Sequence, residues 1–118
     1  MRDLIARLQA AEWASRQLDA AISDALGWVL VCDNAGRPQH WREPDGTRHS
    51  ALPEWTRSLD AALTLVPEGA RWVLYSDGYA YVGPDDEPTA KWCGNTPALA
   101  LCIAALRARM AQQEARNA

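Results

Sequence analysis

The chain has 118 residues, is 48% hydrophobic and 23% charged, and carries a formal net charge of -3 at pH 7; that is room for one hydrophobic core, so a single globular domain over residues 1–118 is expected. No apolar run approaches the roughly 20 residues needed to cross a bilayer, which argues against a membrane-spanning chain. The acidic balance makes nucleic acid an unexpected partner, because counterion release needs a concentrated basic surface.

The opening stretch MRDLIARLQAAEWASRQ lacks the uninterrupted apolar core and cleavage site of a secretory signal, so a cytoplasmic location is expected. Leu4, Leu8, Ala11, Leu18, Ile22 and Ala25 recur at steps of three, four or seven, which predicts helix from Asp3 to Leu26. One continuous helix and two helices, the second capped by Ser15, both fit the pattern, and Gly27 is the stop. WVLVC, Trp28 to Cys32, is apolar on both faces and reads as a strand covered on both sides. It ends at the turn signal Asp33-Asn34-Ala35-Gly36.

Arg37 to Leu52 is polar, with Glu43-Pro44-Asp45-Gly46 as a turn between short edge strands around His40 to Arg42 and Thr47 to His49. In TRSLDAALTLVPEG, Ser58 caps a helix, Asp60 sits in its first turn, and Leu59, Ala62, Leu63 and Val66 make an apolar stripe that Pro67 stops. Asp77-Gly78, between Arg71 to Ser76 and Tyr79 to Gly83, predicts a two-residue hairpin with positive φ at both central positions. Asp85 to Asn95 reads as a loop. Thr96 and Pro97 then open a long helix with the stripe Leu99, Cys102, Ile103, Leu106 and Met110, fraying after about Gln113.

The element order is α(α)ββ(β)αββα. It predicts an α+β fold in which one antiparallel sheet of about four strands is packed with helices, an α/β/α-type sandwich. Taken together, RQLDAAISDALGW, LPEWTRSLDAALTLVPEG and TPALALCIAALRAR resemble the phage ABA-sandwich domain family of small phage and prophage proteins. The SLDAAL…VPEG block followed by TPALALC carries the likeness, and Glu12-Trp13-Ala14 departs from relatives that break the N-terminal helical region with Gly or Pro. That departure favours a single N-terminal helix. The resemblance implies a sheet layered between helices and a phage origin, hence a host bacterial cytoplasm, with no catalytic residues to carry over.

Chemistry is sparse. Cys32, Cys93 and Cys102 form an odd set without a CxxC pair and read as small buried hydrophobes rather than disulfides. Cys32, His40, His49 and Cys93 have no zinc-finger or ribbon spacing, so neither metal nor cofactor is expected. No GxSxG elbow or phosphate loop is present, and Asp85, Asp86 and Glu87 read as a solvated run. The chain is accordingly expected not to be an enzyme. Trp41, Arg42, Arg48, His49, Trp55, Arg57, Tyr79 and Tyr81 interleave aromatics with cations, a composition suited to a recognition surface.

The expected function is therefore a phage accessory protein of the anti-defence kind, which binds a host protein or a small anionic ligand without catalysis. The alternatives are a structural or assembly protein of the particle, or a small enzyme using His40 or His49 with a carboxylate such as Asp45. Ala100, Ala104, Ala108 and Ala111 are either a face for a second copy in a homo-oligomer or plain exposed helix former.

Overall fold

The computed structural model describes residues 1–83 and 92–117. The acidic run Asp85, Asp86 and Glu87 lies outside the described residues. The N-terminal region is two helices, α1 (Arg2–Ala10) and α2 (Arg16–Ala25). Ser15 Oγ accepts the Leu18 N–H at 3.2 Å, so Ser15 is the cap of the second. Glu12 and Ala14 are adequate helix formers, and the break between the helices comes from tertiary bonds. Asn95 Nδ2 donates to the Ala11 carbonyl at 2.6 Å, and the Ser15 N–H donates to Thr56 Oγ1 at 3.1 Å, which holds the linker extended. At the far end of α2 the Trp28 N–H reaches the Ser23 carbonyl and the Gly27 N–H reaches that of Asp24, both at 3.0 Å. This is the Schellman pairing, with Gly27 as the residue beyond the cap.

The α+β class is the one expected, but the strands divide differently. β1 (Val29–Cys32), β2 (Pro38–Arg42) and β3 (Arg48–His49) form one antiparallel sheet in the order β1-β2-β3. β2 is thus central rather than an edge strand. After α3 (Leu59–Leu63) come β4 (Arg71–Leu74), β5 (Tyr79–Gly83) and β6 (Trp92–Cys93), a second antiparallel sheet in the order β4-β5-β6. β6 falls in the stretch read as a loop. It is two residues long, too short for a period-2 pattern, and is set by its pairing of Tyr79 with Cys93 and Ala80 with Trp92.

One turn design serves three hairpins. In Asp33–Gly36, Glu43–Gly46 and Tyr75–Gly78 the glycine N–H closes on the carbonyl three residues back, and the first residue's N–H bonds the carbonyl just after the glycine. Only the glycines have positive φ, at 79°, 95° and 91°. These are type I turns followed by a glycine bulge, so Asp77 does not take the left-handed conformation expected of it.

α4 (Pro97–Asn117) starts where Thr96 Oγ1 accepts the Leu99 N–H at 3.1 Å and runs past Gln113. Every residue from Ala98 to Leu106 is buried, because α1, α3, β5 and β6 all pack on this helix. α4 is therefore the element on which α1, α3 and the second sheet all pack. Ala100 and Ala104, half of the alanine row considered for a second copy, are 1% exposed and belong to the chain's own core. On α3, Ser58 caps as predicted, but the buried residues are Ala62 and, beyond the last turn, Leu65, while Leu59 faces solvent. Among the described residues no helix is long and apolar enough to cross a membrane.

Candidate binding surface

The first sheet leaves the helical body at Trp28, and aromatic contacts fix its root. The Trp28 ring stacks on His49 at 4.7 Å between centroids and meets Trp55 edge-on at 6.0 Å. Trp55 Nε1 donates to Ser23 Oγ at 2.9 Å, and His49 Nε2 lies 2.8 Å from Glu43 Oε2. This chain from Glu43 to Ser23 ties β3 to α2.

Register then sorts the predicted residues onto two faces. Leu30, Trp41 and His49 are cross-strand neighbours on the face turned toward the body, where Trp41 packs against the core. Val29, Arg42 and Arg48 are neighbours on the other face, and Val31 and His40 continue it along the strands. Arg42 and Arg48 are exposed, and Val29 keeps 49% of its surface in solvent. WVLVC is thus not a strand covered on both sides, since Val29, Leu30 and Cys32 are all exposed.

The arginine pair is electrostatically unfavourable. Arg42 and Arg48 are directly opposite, next to the turn-closing bond from the Glu43 N–H to the Thr47 carbonyl, so they form a pair of the kind that does not share backbone hydrogen bonds. Their Cβ atoms then lie about 4.5–5.5 Å apart, and like charges so placed oppose pairing. The acids of the adjoining turn are engaged elsewhere: Glu43 pairs with His49, and Asp45 Oδ1 accepts the Thr47 N–H at 2.9 Å. Among the described residues, neither Arg42 nor Arg48 has an ion pair.

The other predicted residues lie apart. Trp55 is buried at 4% exposure and is a core residue. Arg57 is exposed beside Glu54 and Arg16 at a small cavity of about 140 Å³. Tyr79 and Tyr81 belong to the second sheet, Tyr79 exposed and Tyr81 buried. Exposed Trp13, at 71%, lies outside the predicted set although its place just before the Ser15 cap is readable.

A buried polar cluster also escaped the sequence. Asp19 Oδ1 accepts the Thr56 N–H at 2.9 Å and the Thr56 hydroxyl at 2.8 Å, while Oδ2 accepts Arg16 Nη1 at 2.9 Å. Arg16 Nη2 goes on to the Leu52 carbonyl at 3.0 Å, and Cys102 Sγ donates to the Trp55 carbonyl at 3.0 Å. The signal was a polar side chain inside an apolar stripe, since Asp19 sits between Leu18 and Ile22. These groups satisfy one another, as buried polar groups must. Burial, with the Asp19 charge adding to it, pushes the Cys102 thiol up to about 12, so it is held as the unreactive thiol. Cys32 and Cys93 are exposed, contrary to the reading of all three cysteines as buried.

His49 held by Glu43 is an oriented imidazole, the first half of a general-base pair. Among the described residues no Ser, Thr or Cys bonds its ring, His40 lies on the opposite face, and no group of three or more His, Cys, Asp or Glu side chains could hold a metal ion. Comparison with family models, curated proteins and solved structures finds no match.

Proposed function

We propose that the protein acts by non-catalytic binding, and that the outward face of the first sheet, centred on Arg42 and Arg48, docks on an acidic protein surface. The observation that carries this reading is the Arg42–Arg48 pair, opposed in register and without an ion-pair partner among the described residues. Carboxylates of a partner would relieve that repulsion through bidentate arginine contacts. The neighbouring Val29 and Val31 add apolar area, and an open sheet face fits a protein surface better than it encloses a small molecule. In the phage setting that the family resemblance implies, the partner is a host protein and the chain an accessory factor.

The test compares the wild-type chain with an Arg42→Glu/Arg48→Glu variant as bait in nuclease-treated bacterial lysate, followed by calorimetry with the purified captured protein. Affinity is expected to fall at least about tenfold in the variant and to fall with added salt. Equal affinity for both baits, or capture that nuclease abolishes, overturns the reading.

A further inference from the structure

A second cationic site lies on the helical body, far in sequence from the first sheet. A cleft of about 460 Å³ is lined by Ala25 and Leu26 at the end of α2, by Met1, and by Arg109, Gln112, Gln113 and Arg116 of α4. The four α4 residues fall at i, i+3, i+4 and i+7, so the helix period puts them on one face. Among the described residues no acidic side chain lines the cleft. The acid of this helical segment, Glu114, is on the other side, where it meets Arg2 at 3.6 Å.

Arg109 is already positioned. Its Nε donates to the Leu65 carbonyl at 2.6 Å and its side chain is half-buried, which fixes the guanidinium plane. One of its five N–H donors is used in that bond, and the others remain to serve a ligand. No ion pair neutralises Arg109 or Arg116 among the described residues. The helix dipole accounts for a cation at Arg116, in the last turn, but not for one two turns earlier.

We propose that this cleft binds a small organic anion. Arg109 and Arg116 hold its phosphate or carboxylate oxygens, Gln112 and Gln113 meet its neutral polar edge, and Ala25 and Leu26 cover its apolar part. A volume of this size suits a metabolite-sized molecule. The two cations start about 10.5 Å apart along the helix, the rise of seven residues, so they can grip two anionic groups of one molecule or converge on one.

The test is titration of the full chain with inorganic phosphate, citrate and ATP, read by calorimetry and by the melting temperature. At least one is expected to bind saturably with a dissociation constant below about 10 mM and to raise the melting temperature. Binding of ATP without citrate assigns phosphoryl chemistry, and binding of citrate assigns carboxylates. Arg116→Glu, at an exposed position of the last turn, should lower the unliganded melting temperature only slightly, through the reversed helix-dipole contact, and weaken binding at least about tenfold. Arg109→Gln serves as the second variant, with its fold checked by circular dichroism. Arg42→Glu/Arg48→Glu should bind as the wild type does, which separates this site from the first sheet. Absence of saturable binding by all three probes, or equal affinity in Arg116→Glu, overturns the proposal.

Discussion

The two sheets have the same number of strands, the same antiparallel order and the same kind of turn, yet they differ in what covers them. The second sheet lays Ala80 and Val82 against α4, and Tyr81, Val82 and Ala80 are all buried. The first presents Val29 and Leu30 to solvent, although WVLVC is the more apolar of the two sequences. Hydrophobic character by itself therefore does not bury a strand. Burial follows from which element finds a helix to pack on, and α4 takes β5 and β6 while the first sheet is fixed only at its aromatic root. The uncovered sheet keeps surface for a partner, and the covered one holds the fold.

The sharpest way to break that comparison is to shorten one side chain in each region. Leu99→Ala, in the fully buried turn of α4, should cost about 2–5 kcal/mol in urea unfolding, through lost transfer energy and a cavity. Val29→Ala should stay within about 0.5 kcal/mol, since half of the side chain is already in water. Similar losses at both sites would mean that the first sheet is packed against something more than its root.

A middle-sized effect sharpens the account of how the body is braced. Asp19→Ala strands the Thr56 N–H in the interior, whereas the Thr56 hydroxyl keeps the Ser15 carbonyl at 3.2 Å and Arg16, half in solvent, can turn to water. The expected cost is about 2–3 kcal/mol, measured by the same unfolding curve, and it falls on the contact of α2 with the 52–57 segment. A neutral outcome would show that the cluster is replaceable packing.

Much of the fold was legible from local signals. Ser58 and Thr96 cap the helices that their positions predict, Ser15 caps the second of the two N-terminal helices that the pattern allows, and the turn tetrads stand where the glycines place them. What could not be read was set by long-range pairing. The helix break at Ala11 depends on Asn95, 84 residues away, and the division into two sheets depends on α4 taking only one of them. The candidate site was legible in part for the same reason. Composition picked Trp41, Arg42, Arg48 and His49, which do share a sheet, but register decides that the aromatic ring and imidazole face inward while the arginines face out. Trp55 and Tyr81 show the limit, because an aromatic near arginines is as good a core residue as an anchor, and only packing tells the two apart.

The smallest effect concerns the turns of the first sheet, where the uncovered region must stabilise itself locally. The Arg37 N–H bonded to Asp33, with those of Ala35 and the Arg37 side chain, holds the Asp33 carboxyl below its usual range, and the Thr47 N–H does the same for Asp45. A carboxyl whose folded pKa is depressed lends stability that is present above its unfolded value, near 3.9, and lost as the pH falls through the lower folded value. Asp33→Asn/Asp45→Asn keeps an oxygen for the backbone N–H groups and removes the charge, together with the bond from Arg37 Nε to Asp33 Oδ2. The double variant should therefore be slightly less stable than wild type at pH 7, and the two urea midpoints should converge as the pH is taken below about 4. A gap that persists in acid would assign the loss to turn geometry. A gap that closes would assign it to the charge, and would show that this sheet relies on its own turns for what the helical body supplies to the other.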